Sequence, residues 1–154
     1  MKAQKVIDLL KENHRTISAV ESMTGGMLSA LFTEVPGASE VFKGAIVAYS
    51  AESKMALADV KSQTIQNYGL ISWETASEMA YNGRIRLATD YCVSITGNAG
   101  PSVDHGDKEV GTVYIAIASG EYIWGIPLNL TGTREQIKKA TLEAVISALE
   151  NILK

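Results

Sequence analysis

The most constraining feature of this chain is one junction near its start. Thr16 to Val20 is a short, β-branched-rich run that reads as a strand, and it leads directly into Glu-Ser-Met-Thr-Gly-Gly and a helical segment, Met27 to Thr33. A strand that leaves through paired glycines straight into a helix is the entry to an α/β unit, in which the helix must fold back and bury its apolar stripe against a sheet. The rest of the sequence keeps this alternation. Val6, Leu9 and Leu10 share one face of a first helix that ends near Asn13. Val35-Pro36-Gly37 breaks the second helix, because proline disfavours helical geometry in the residue before it. Ala45 to Tyr49 is a further strand, after which Ser50 caps a helix running through Lys54 to Leu57. A short helix ends at Tyr68-Gly69, and Ser72 caps another from about Glu74 to Leu87, with Gly83 as a weak point in its last turns.

Tyr91 to Thr96 and Thr112 to Ala118 are rich in Val, Ile and Tyr and read as strands. Gly120-Glu121 makes a hairpin turn into a last strand, Tyr122 to Leu130. Pro127 places that strand at an edge or at a bulge, since proline cannot donate to a ladder. Thr133 and Gln136 form a capping box that opens a helix with Ile137, Ala144, Ala148 and Ile152 on one face. The expected fold is a three-layer α/β/α sandwich on a mostly parallel mixed sheet with a C-terminal antiparallel hairpin, built as one domain over residues 1–154.

Composition narrows the function classes. Fourteen Lys plus Arg against seventeen Asp plus Glu give a net charge of −3, so there is no basic footprint for nucleic acid. One cysteine, Cys92, excludes an internal disulfide, and two distant histidines, His14 and His105, make no metal pattern. In the C-terminal half the longest uncharged stretches, Val110 to Gly120 and Tyr122 to Thr133, are too short to span a bilayer. Charges run through the first fifteen residues, unlike a secretory leader. A cytoplasmic protein that partners neither membrane nor nucleic acid is expected.

Three threonine-glycine turns follow strands: Thr24-Gly25-Gly26, Thr96-Gly97 and Thr131-Gly132-Thr133, the last beside Arg134. Each alone is an ordinary tight turn. Together, and with an arginine, they point to an anionic ligand such as a phosphorylated metabolite, since glycine lets backbone amides approach closely and ligands gather at the carboxyl ends of strands. No Walker A or GxGxxG pattern is present. Two serines qualify as nucleophiles, Ser22 after the first strand and Ser39 in Pro36-Gly37-Ala38-Ser39, and either also reads as a helix cap. With no histidine nearby, a neutral, desolvated lysine would have to take the hydroxyl proton. Lys54, shortly after Tyr49, is a candidate, although as a plain helix residue it would be solvated. Spacing leaves these serines and lysines undecided. Cys92 reads as a small buried hydrophobe, the loop around His105 as solvated, and Trp73 and Trp124 as packing or interface aromatics.

Six blocks then bear together on one resemblance: Ala19 to Gly26, Val35 to Phe42, Gly44 to Lys54, Ile95 to Pro101, Val110 to Val113, and Arg134. In this order they resemble the CinA C-terminal domain family, the PncC-type nicotinamide mononucleotide deamidases, over nearly the whole chain. The resemblance implies a bacterial cytoplasmic α/β amidohydrolase that converts nicotinamide mononucleotide to nicotinic acid mononucleotide and ammonia with no metal and no cofactor. It implies Ser39, Tyr49 and Lys54 as catalytic residues, and Thr24, Gly25, Gly26, Thr96, Gly97 and Arg134 as substrate-binding residues. The implied partner is the small nucleotide substrate, in a homo-oligomer with a dimer favoured. A non-catalytic nucleotide-binding or regulatory module is the alternative. The chain departs from the family's pattern at Met23, where cysteine is frequent, at Asn98, at Thr133 and through Ser102 to Glu109.

Overall fold

The computed structural model describes residues 1–103 and 107–154. His105, expected in a solvated loop, lies outside the described residues. Twelve elements follow in order: α1 (Gln4–Glu12), β1 (Ile17–Glu21), α2 (Met27–Thr33), a 3-10 turn (Ala38–Glu40), β2 (Phe42–Val47), α3 (Ala51–Ala58), α4 (Ser62–Tyr68), α5 (Trp73–Arg86), β3 (Tyr91–Gly97), β4 (Thr112–Ala118), β5 (Ile123–Asn129) and α6 (Arg134–Ile152). The strands form one sheet in the order β2-β1-β3-β4-β5. β1 pairs parallel with both β2 and β3, whereas β3–β4 and β4–β5 are antiparallel. Four strands therefore point one way and β4 the other, which is the mixed α/β sheet expected. β2 begins three residues earlier than its apolar run and ends two residues before Tyr49.

Strand alternation sends side chains to two unlike cores. On one face Ile17, Ala19, Val93, Ile95, Val113, Ile115 and Ile117 meet α1, α2 and α6 through Val6, Leu10, Leu28, Phe32, Ile137 and Leu149. The opposite face carries small residues, Ala116 and Ala118, against Ala76 and Ala80 of α5. That choice of side chains brings α5 close to the sheet. A Cβ on Gly83 would lie 2.4 Å from Val20 Cγ2 and 2.9 Å from Cys92 Sγ. Gly83 therefore does not weaken α5's last turns: the close approach needs it, and packing on β1 and β3 outweighs its poor helical propensity. Cys92 is buried as expected, and burial pushes its thiol up to about 12.

Pro127 sits on β5, an edge strand, opposite Tyr114. The turn before β5 is closed by the Ser119 amide donating to the Tyr122 carbonyl at 2.8 Å. The Thr133–Gln136 capping box is present in full at the start of α6. Trp73 lies with its ring over Gly125 of β5, where a Cβ would sit 2.4 Å from it, so this aromatic has a packing role within the chain. Among the described residues no helix is long and apolar enough to cross a membrane.

Candidate active site

The carboxyl ends of β1, β2 and β3 lie side by side, and the chain leaving each contributes to one cavity of about 200 Å3. β1 ends at Glu21, a fully buried carboxylate. It accepts from the hydroxyls of Thr24 (2.7 Å) and Ser29 (2.6 Å) and from the amides of Leu28 (2.9 Å) and Ser29 (3.0 Å). Four donors, three of them on the first turn of α2, compensate the burial of this carboxylate. They also fold the intervening Ser22–Gly26 segment into a turn whose glycines take positive φ, +59° at Gly25 and +107° at Gly26. Glu21 carries no sequence signal of this role beyond its place before the turn, and it was not singled out above.

The turn sets Ser22 at the cavity, 6% exposed. β2 leads through Ala48 and Tyr49 to Ser50, whose hydroxyl caps α3 by accepting from the Ser53 amide at 3.0 Å. α3 then turns Lys54 inward, 2% exposed. Its Nζ donates to Ser22 Oγ at 2.8 Å and to the Ala48 carbonyl at 3.1 Å. Burial lowers the amine from its ordinary value to about 8, against the opposing pull of the Asp107 carboxylate. At that value a substantial fraction is neutral near physiological pH, and the Ser22–Lys54 bond can then run the other way, from hydroxyl to amine.

Ser39 does not join this pair. It lies exposed in the 3-10 turn before β2, whereas Tyr49 and Lys54 follow β2. A six-residue strand at about 3.3 Å per residue separates the two ends of β2 by about 20 Å. The Lys43 amine donates to the Ser39 backbone carbonyl at 3.1 Å. The serine that the structure brings to Lys54 is therefore Ser22, the other serine left open by the sequence, and not Ser39.

Tyr49 reaches the cavity mouth, and its hydroxyl accepts from Arg134 Nη2 at 2.8 Å. Arg134, at the start of α6, donates its other terminal nitrogen to the Gly100 carbonyl. Thr96 and Gly97, the end of β3, line the cavity, the Thr96 hydroxyl being spent on the Leu70 carbonyl at 2.8 Å. Of the expected binding residues, then, Thr96, Gly97 and Arg134 share the cavity with the Ser22–Lys54 pair. Thr24, Gly25 and Gly26 do not line the cavity and instead build the turn that carries Ser22. Met23, Leu70, Ile71, Ala99 and Asp107 complete the lining and were missed. Asp107 was hidden in a polar loop that reads as solvent-facing, and nothing local marks Leu70 or Ile71.

The sequence model for the CinA C-terminal domain matches residues 1–153. The chain is 44% identical over 148 residues to a CinA-like protein of Petrotoga mobilis, covering 96% of this chain and 36% of that protein. It thus spans about a third of the length of the curated relatives it matches. Among solved structures, a competence-damaged protein (CinA) superfamily protein from Klebsiella pneumoniae superposes with a TM-score of 0.95 at 23% identity, covering 98% of this chain and 94% of that one. A competence/damage inducible protein from Agrobacterium tumefaciens superposes with a TM-score of 0.94 at 27% identity, covering 99% and 93%.

Proposed function

This chain belongs to the CinA C-terminal domain family, and from that premise we propose that it is a serine-lysine amidohydrolase whose substrate is nicotinamide mononucleotide. The observation that carries the reading is the 2.8 Å contact between the buried Lys54 amine and the Ser22 hydroxyl at a cavity wall. A hydroxyl is a weak nucleophile until a base takes its proton, and an amine lowered to about 8 can act as that base.

In the proposed reaction neutral Lys54 accepts the Ser22 proton as Oγ attacks the carboxamide carbon. The tetrahedral oxyanion forms beside Met23, which lines the cavity and whose amide has no acceptor among the described residues; one such donor is worth about 2.7–4 kcal/mol in a well-studied protease. Lys54 then returns the proton to the amide nitrogen, the C–N bond breaks and ammonia leaves. Water, deprotonated by the same amine, hydrolyses the ester, restoring Ser22 and giving the carboxylate. The balance is amide plus water to carboxylate plus ammonium.

Arg134 supplies the anion-binding group. Its tether to Tyr49 and Gly100 holds the guanidinium at the mouth, so a phosphate bound there fixes the distance from the ring to Ser22. Tyr49 thereby serves as a positioning residue for Arg134. The test is ammonia release from nicotinamide mononucleotide by the purified chain, with nicotinamide riboside and free nicotinamide alongside. Release that needs the phosphate supports the reading. Tight binding of the mononucleotide with no ammonia would instead make the chain a nucleotide-binding module.

A further inference from the structure

Among the described residues lining the cavity, Asp107 is the one acidic side chain. It is half-buried there and enters from the segment between β3 and β4. The other described charged or titratable side chains at the same walls are Lys54 from α3, Arg134 from α6 and Tyr49 from the β2–α3 connection. Glu21 is close in sequence to Ser22 but faces α2, with both carboxylate oxygens committed to Thr24, Leu28 and Ser29. Arg134 is tied to Tyr49 and Gly100 at the mouth. Among the described residues the field around the reacting amide is therefore set by Lys54 and Asp107, with Arg134 at the mouth.

We infer that Asp107 is a specificity-determining residue that selects an amide carried on a cationic ring over the same amide on a neutral ring. The inference rests on the reading of the cavity as an amidase site and adds the charge class of the substrate. In a half-enclosed cavity, opposite charges a few ångströms apart attract far more strongly than in water. An N-substituted pyridinium bearing its carboxamide at Ser22 brings its positive charge under the Asp107 carboxylate. Its dihydropyridine counterpart has the same amide, ribose and phosphate but no ring charge. The reaction also creates a carboxylate where the amide stood, and Asp107 repels that new charge, which favours product departure.

The experiment compares oxidised and reduced nicotinamide mononucleotide on wild type, Asp107→Asn and Asp107→Glu, because the ratio of ratios cancels the different reactivity of the two amides. Calorimetric binding is read in a Ser22→Ala background, which needs no turnover, and kcat/KM in the parent. Asp107→Asn is expected to reduce the preference for the oxidised form at least tenfold in both readings, and Asp107→Glu to restore most of it. The acid limb of the kcat/KM profile is expected to move to lower pH in Asp107→Asn, because the carboxylate favours the charged Lys54. A loop residue with a merely structural role would weaken both ligands alike and leave the profile in place. An unchanged preference in Asp107→Asn, with wild type active, overturns this inference and leaves the amidase reading standing. No ammonia from any amide, with a binding preference that Asp107→Asn abolishes, overturns the amidase reading alone. Failure of both forms to bind overturns both.

Discussion

Lys54 Nζ lies 2.8 Å from Ser22 Oγ although 32 residues separate them in the chain. The contact comes from the parallel register of β1 and β2, which aligns Glu21 with Val47 so that the residues leaving each strand face one another. The Ala48 amide donates to the Glu21 carbonyl at 2.8 Å and extends that alignment one step past the strands. The Ala48 carbonyl in turn takes a second bond from Lys54. The amine is therefore held by two acceptors that the sheet itself positions.

This geometry assigns different outcomes to the two candidate serines. Ser22→Ala is expected to lower ammonia release by at least 1,000-fold while changing mononucleotide affinity only a few-fold, because the hydroxyl acts mainly in the transition state. Ser39→Ala, exposed at the other end of β2, is expected to retain activity within about twofold. Single-turnover assays and calorimetric binding on both variants check this, and an inactive Ser39→Ala beside an active Ser22→Ala would reverse the assignment.

If Lys54 is the base, the rate follows its deprotonation. The kcat/KM value is expected to rise with pH through an apparent pKa near the value of about 8 set by burial. Lys54→Arg is expected to be inactive across the range, because arginine keeps its proton. Appreciable turnover by Lys54→Arg would recast Lys54 as an electrostatic residue.

The same ionisation affects folding. Below about pH 8 Lys54 is charged in both folded and unfolded chains, and the folded state carries the full penalty of a buried ammonium. Between about 8 and the ordinary 10.5 the folded protein has lost the proton and the unfolded chain still holds it, so stability through this group rises with pH. The gain totals about 3 kcal/mol at 1.36 kcal/mol per pH unit. In urea unfolding of wild type and Lys54→Met, the stability difference is expected to move toward wild type by this order between pH 7.5 and 10.5. A difference flat across that range would show that Lys54 titrates normally.

Arg134 is expected to read the phosphate. Arg134→Ala should raise KM for nicotinamide mononucleotide about tenfold or more and barely change turnover of the unphosphorylated riboside. Tyr49→Phe removes only the hydroxyl that accepts from Arg134 at 2.8 Å and should shift KM in the same direction by less. Equal losses on both substrates would remove Arg134 from phosphate recognition.

Glu21 supports the Ser22 turn from beneath. Glu21→Gln replaces one acceptor oxygen by an NH2 that must face donors at Leu28, Ser29 or Thr24. Charge-assisted bonds contribute about 1.5–3 kcal/mol each, so a loss of about 2–4 kcal/mol in urea unfolding is expected. Activity should fall with it, since Ser22 loses its fixed place. A variant as stable as wild type would mean that the turn holds without this carboxylate.

The features legible in the linear chain are local or periodic. The caps at Ser50, Ser72 and Thr133, the alternation of strands and helices, and the edge position of the Pro127 strand all follow from residues a few positions apart, and such signals survive without knowledge of the fold. The tertiary structure decided everything that depends on which distant segments meet. It joined Ser22, not Ser39, to Lys54, because the register and direction of β2 put one serine at each end of the sheet. It turned Gly83 from a weak point into a requirement of close packing, because its neighbours Val20 and Cys92 lie on other elements. It brought Asp107 out of a loop of ordinary polar composition to the wall shared with Lys54. Burial and long-range charge are properties of three-dimensional neighbours, and a linear pattern carries neither.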